Sequence, residues 1–298
     1  KLLRRLCVLW TAVTAAAVLF LAALSPVLGA LADYSGMKKK LFCGALALGL
    51  LGMAGLCLTG SAMAYLGFFI AARLGYSACN VFYDAMLTDV TTDDRLDQIS
   101  AAGYAWGYIG SCIPFMIGIV LIFTCPFGWS TMQATQVSFA LTGVWWAALT
   151  VPLLRDVRQV HCLEDRPDKI RHSFSRLRET FGKLRQDKRM LFFILAYFFY
   201  IDGIYTIMSL ATTYGAEVGI DQAQMILALL MTQFVAFPCA LLTARAAEKR
   251  GGVRLIRLSI LAYMGICAFG YQLDRAWEFW VLAVAVGMFQ GGIQSLSR

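Results

Sequence analysis

"SPVLGALADYSGMKKK" runs from Ser25 to Lys40 and passes from an apolar run to three consecutive lysines through an aspartate, a serine and two glycines. Upstream, Trp10 to Leu31 is apolar over a length that crosses a hydrocarbon core of about 30 Å. Downstream, a second such run opens at Leu41. Charge and turn residues between two runs of this length mark the link between two membrane spans.

The pattern repeats along the chain. We expect nine spans, at Trp10–Leu31, Leu41–Leu58, Met63–Leu87, Ala101–Phe123, Ala134–Leu154, Met190–Tyr214, Met225–Ala247, Leu255–Tyr271 and Trp277–Leu296. Of 298 residues, 59% are hydrophobic and 15% charged, with a mean hydropathy of +0.67. A soluble domain carries about 25% charged residues, so this chain cannot hide its apolar surface in one aqueous globule. Transmembrane β-strands would alternate polar and apolar residues, and these runs do not. The fold class is therefore all-α, a polytopic membrane protein.

The net charge of +8 is not a nucleic-acid footprint, because the basic residues fall in particular loops. The odd loops hold Lys38, Lys39 and Lys40, then Arg95, then eleven basic residues from Arg155 to Arg189, then Arg245, Lys249, Arg250, Arg254 and Arg257. The even loops hold Arg275 alone. The positive-inside rule puts the odd loops in the cytoplasm. Lys1, Arg4 and Arg5 then fall on the wrong side, which is expected if a span precedes them. A signal peptide is disfavoured because the first apolar run exceeds a signal's hydrophobic region. With no initiating Met and an end after "GGIQSLSR", the sequence reads as a fragment.

The fifth loop divides the chain into residues 1–154, 155–189 and 190–298. Within it Phe174, Leu177, Phe181 and Leu184 recur at helical spacing among Arg176, Arg178, Lys183 and Arg185, predicting an amphipathic helix with Ser173 as N-cap. The plain reading is a surface helix on the inner leaflet; the alternative is a regulatory or partner-binding element. His161 and His172 lie in this loop without further ligands, so no metal site is expected. The nine cysteines form no C-x-x-C pair and are read as small buried side chains.

Gly29-x-x-x-Asp33-x-x-Gly36 has an echo in Ala244-x-x-x-Glu248-x-x-Gly251, each pair of positions 215 residues apart. Each copy closes a span and opens a basic loop, so two related halves are expected, in the manner of parallel-repeat transporters. "GALADYSGMK" resembles the signature loop of the major facilitator superfamily. "YAWGYIG" (Tyr104–Gly110), "YIDGIYTIMSLATTYGAEVG" (Tyr200–Gly219), "TQFVAFP" (Thr232–Pro238) and "QGGIQSLSR" (Gln290–Arg298) resemble the vacuolar amino-acid effluxer family and its bacterial members. The resemblance implies two pseudo-symmetric helical halves, with the nine spans as the second to tenth of twelve, so that each half is incomplete. It implies that Asp33 acts as a conformational latch, meeting an Arg or a helix N-terminus across the interface between halves. Gly29 and Gly36 would allow close packing and a tight turn, and Lys38 to Lys40 would fix orientation and bind anionic headgroups. Glu248 and Gly251 are the weaker second copy.

A charge at the bilayer centre costs about 2.5 to 3.5 kcal/mol, so ionisable residues inside spans are informative. Arg73 and Asp84 return to one helix face with Asn80 between them. Asp202 shares a face with Tyr205, Thr206, Ser209 and Thr213. Arg73 and Asp202 read as facing a transport path, as partners of a substrate carboxylate and ammonium or as a proton-coupling pair; a structural ion pair is the competing reading. Asp84 is a second candidate for coupling. Tyr104, Trp106 and Tyr108 read as an interfacial aromatic belt before substrate contacts, and Gly103, Gly107 and Gly110 as a close-packing face. Gln233, Gln290 and Gln294 are polar points that could line the path.

The expected function is secondary transport of a small polar solute, amino acids first, with sugars, peptides or drugs as alternatives. No G-x-x-x-x-G-K-[ST] loop and no nucleophile or metal constellation occurs, so neither direct ATP drive nor an enzyme is expected, and no cofactor. A non-transporting receptor or scaffold is the remaining alternative. Partners are the bilayer, the solute and a coupling proton, with the monomer as working unit. The membrane is a bacterial plasma membrane or, alternatively, a vacuolar one.

Overall fold

A computed structural model describes the backbone of residues 2–165 and 167–298 and the side chains from residue 12 onward, residue 166 excepted. Lys1 and Arg166, and the side chains of Arg4, Arg5 and Cys7, lie outside the described residues.

The helices are α1 (Leu2–Ala32), α2 (Met37–Leu58), α3 (Ala62–Ala85), a single turn α4 (Leu87–Val90), α5 (Leu96–Thr124), α6 (Thr131–Asp156), α7 (Lys169–Gln186), α8 (Lys188–Glu217), α9 (Gln222–Arg250), α10 (Gly252–Gly270) and α11 (Ala276–Leu296). All of these except α4 and α7 contain a segment long and apolar enough to cross a membrane, nine among the described residues. Several helices overrun their predicted apolar spans by whole turns at the basic ends, because helical hydrogen bonding continues past the hydrocarbon edge. α3 instead stops at Ala85, short of the expected Leu87, where the chain turns into α4. The amphipathic helix is α7, but it begins at Lys169. Ser173 is thus one turn inside it and fully buried, not its N-cap.

The chain forms two compact units. The first comprises Lys1–Val90 and Met116–Lys183. Its core gathers Leu21, Phe42, Leu46, Ala78, Cys79 and Phe82 from α1, α2 and α3. Small residues let two of these helices approach closely: a Cβ added to Gly75 on α3 would run into the backbone of Gly49 on α2, and one on Gly52 into the backbone of Ala72. Backbone cannot swing aside as a flexible side chain can. Gly75→Ala is therefore expected to destabilise the full-length protein by about 1 to 3 kcal/mol. Thermal unfolding in detergent checks this against Gly67→Ala on the same helix, where an added Cβ meets nothing within 4 Å. Equal behaviour of the two variants would discount the close approach.

The second unit comprises Thr91–Phe115 and Leu184–Arg298. α11 packs on α9 through Gly287, Gly291 and Gly292, which lie against Thr232, Ala240 and Thr243. Thr232 Oγ1 donates to the carbonyls of Ala228 (3.0 Å) and Ala283 (3.2 Å), covering a hydroxyl that lipid could not satisfy.

Much of the exposed surface of the spans is apolar. On α8, Phe192 and Phe199 are 70% and 71% exposed, a surface that requires lipid as its solvent. The cysteines show the same logic and correct the expectation of burial. Cys79 and Cys112 are buried, whereas Cys43 and Cys267 are exposed on spans and Cys162 is exposed in the linker. An apolar thiol on a span needs no protein cover when hydrocarbon supplies it.

Candidate functional site

The turn after α1 is built by Gly36, whose φ of +69° at the start of α2 is the left-handed conformation that glycine adopts without strain. Tyr34, fully buried, points its hydroxyl at His172 Nδ1 (2.7 Å) on α7. The linker pairs with this turn like a short strand: Leu163 N–H donates to the Asp33 carbonyl (2.8 Å) and Ser35 N–H to the Leu163 carbonyl (3.0 Å). Gln159 Nε2 donates to the Ala32 carbonyl (3.0 Å). Asp33 Oδ2 accepts from Arg176 Nη1 at 3.2 Å. The cation that an aspartate at a helix C-terminus requires is thus supplied by the linker helix of its own unit. Gly29 does not fit its expected role, since a Cβ there meets nothing within 4 Å.

Beside this turn lies a network that sequence reading missed. Lys38 Nζ meets Asp89 Oδ2 at 2.6 Å, with the two side chains 5% and 0% exposed, and also donates to the Ala85 carbonyl (3.0 Å). Asp89 Oδ1 accepts from the backbone N–H of Val160 (3.0 Å) and His161 (3.1 Å). Burial pushes the Asp89 carboxyl up, but the hydrogen bonds from Lys38, His161 and Val160, with the Lys38 charge, outweigh it and hold it below its ordinary value. Lys39 Nζ donates to the Leu154 carbonyl (2.7 Å). Of the three lysines assigned to headgroups, only Lys40 is exposed; the other two are structural ties. The one available signal was an aspartate two residues past the apolar end of the third span.

The second copy keeps a positive φ at its glycine but not the same turn or the pairing. Gly251 has φ +85° and ψ 134° between α9 and α10, against +69° and −1° at Gly36, while Glu248 remains in the last turn of α9, exposed.

Within the spans, Arg73 lies midway along α3 and is exposed, with Asn80 half-buried. Asp84, also exposed, is one residue from the end of α3. In the second unit, Asp202 lies midway along α8, where it, Tyr205, Thr206, Ser209 and Thr213 form one exposed polar stripe. Gln290 and Gln294 are buried on α11. Gln294 Oε1 accepts from the Tyr108 hydroxyl on α5 at 2.5 Å, and its Nε2 lies 3.7 Å from Met208 Sδ on α8. Gln290 is also within hydrogen-bonding reach of Tyr108. Gly291 leaves the room that the Tyr108 ring occupies. Tyr108 is 8% exposed and hence not part of an interfacial belt, whereas Trp106, 67% exposed, fits one. Among the described residues a Cβ added to Gly107 or Gly110 meets nothing within 4 Å, so the expected close-packing face is not seen there. Gln233 Oε1 is enclosed on α9.

A cleft of about 410 Å³ in the first unit, lined by Thr59, Ser61, Tyr65, Gln136 and Phe139 among others, contains no charged side chain. Among the described residues no cluster of metal-ligating side chains occurs.

Residues 88–298 match the family described as vacuole effluxer Atg22 like. The chain is 40% identical over 285 residues to a Bacillus subtilis protein named uncharacterized MFS-type transporter YxiO, covering 93% of this chain and 66% of that protein. It is 27% identical over 233 residues to autophagy-related protein 22 of Yarrowia lipolytica, covering 67% of this chain and 39% of that protein. The chain thus spans less than two thirds of the length of these curated relatives.

Proposed function

Because the chain belongs to the vacuole effluxer Atg22-like family, we propose that it is part of a multi-pass membrane transporter of the major facilitator type, moving a small polar solute by alternating access. Amino acids are the first substrate class. The observation that carries the reading is Asp202, a carboxylate midway along a span within a stripe of hydroxyl side chains. A charge kept at that depth against a cost of about 2.5 to 3.5 kcal/mol needs a use, and binding an ammonium group or a coupling proton supplies one. Arg73, midway along α3, is the complementary candidate for a carboxylate. The buried Tyr108, Gln290 and Gln294 offer neutral hydrogen bonds of the kind that orient a solute. Asp33, placed by the left-handed turn at Gly36, anchors the linker helix to the signature turn through Arg176 of its own unit. The 40% identity to the Bacillus protein favours a bacterial plasma membrane.

Full-length protein in proteoliposomes, supplied with labelled amino acids, sugars or nucleosides under an imposed pH gradient, tests the proposal. Saturable flux of one class, driven by the gradient, is expected. Absence of flux for every class would leave the receptor reading in its place.

A further inference from the structure

We propose that one face of α7 docks on the anionic headgroup layer of the cytoplasmic leaflet. The helix has two separable surfaces. One holds the first turn, through buried Ser173, through His172 to Tyr34 and through Arg176 to Asp33. Round the helix from it stand Ile170, Phe174 and Phe181, at 64%, 55% and 60% exposure, on a segment that is not itself a span. Ile170, Phe181 and Phe174 fall within about 40° of one another, and Arg185, Arg178 and Arg171 follow at about 60° to 100°. An apolar ridge is therefore bordered along its whole length by arginines at seven-residue intervals, all three exposed.

Charge identifies the occupant. The helix carries six basic residues and one acidic one. That acid, Glu179, is paired with Lys183 at 2.7 Å on the side away from the ridge. An acidic soluble partner would match the arginines but not three large apolar side chains next to them. A leaflet offers both layers at the right depths, acyl boundary for the ridge and phosphate for the guanidinium groups. Position agrees, because only Asp187 separates α7 from the membrane span α8. Since the same helix holds Asp33, the lipid surface and the signature turn are engaged by opposite functions of one element.

The test is hydrogen exchange of residues 169–186 in the full-length protein, in nanodiscs of phosphatidylcholine and of phosphatidylcholine with phosphatidylglycerol. Each basic residue at an anionic surface multiplies partitioning by about five, so exchange is expected to slow by up to about 100-fold in the anionic discs. The slowing should shrink in high salt and vanish in R171Q/R178Q/R185Q, whose exchange in neutral discs confirms that the helix is intact. Phe174→Ser with Phe181→Ser should reduce it. Arg176→Gln, on the turn-facing side of the helix, should speed exchange equally in both discs. Identical exchange in the two lipids, slowing that survives loss of the three arginines, or protection that arises only when soluble cytosolic protein is added would each overturn the proposal. None of these readouts depends on transport.

Discussion

Replacing Asp89 by asparagine is expected to lower the stability of the full-length protein by about 3 to 5 kcal/mol, the cost of leaving one member of a buried ion pair uncompensated. Lys38 is 5% exposed and would retain only the Ala85 carbonyl. The asparagine can still accept from the Val160 and His161 N–H groups, so the loss is assigned to the charge and not to the caps. Adding Lys38→Met to Asp89→Asn removes the orphaned ammonium and should recover most of the stability. Thermal unfolding in detergent decides; a single variant that loses less than about 1 kcal/mol would show the pair to be solvent-screened. The pH dependence has a definite sign. Because the folded carboxyl sits below its ordinary value of about 3.9, its contribution is present above that pH and is lost as pH falls through the folded value. Unfolding temperature should be level above about pH 5 and drop below about pH 4, and Asp89→Asn should flatten that drop.

Asp202→Asn is expected to abolish uphill accumulation of solute while leaving the protein folded. The amide keeps the volume and the hydrogen bonding but cannot exchange a proton or balance an ammonium. Removing a mid-span charge relieves a desolvation cost, so unfolding temperature should hold or rise. A fall in accumulation of tenfold or more at unchanged stability is the expected pair of results, measured in proteoliposomes under a pH gradient. An unchanged accumulation ratio would assign Asp202 a structural role and return the search to Arg73 and the Tyr108–Gln294 pair.

What the sequence made legible follows from what lipid demands. Hydrocarbon leaves few alternatives to a helix of about twenty apolar residues, so the spans could be placed within a few residues. The turns at Gly36 and Gly251 were legible because a left-handed φ selects glycine. Partnerships were not. Lys38 and Asp89 lie 51 positions apart and Tyr108 and Gln294 186 apart, and nothing local couples them. Tyr108 looked like a belt residue because belt and buried tyrosines share a periodicity, and only the packing of α11 tells them apart. Ser173 looked like a cap because a serine before an apolar run is one, yet Lys169–Gln186 was already helical around it.

The linker's attachment to the first turn has a practical corollary for dissecting the molecule. Gln159, Val160, His161, Leu163, His172 and Arg176 all bond to residues between Ala32 and Asp89. Coexpression of the halves as two polypeptides should therefore be attempted with the break at Asp187. A break after α6 would strand Asp33, Tyr34 and Asp89 without the partners that complete them, and a failed complementation from such a split would report on the choice of cut and not on whether the halves can assemble.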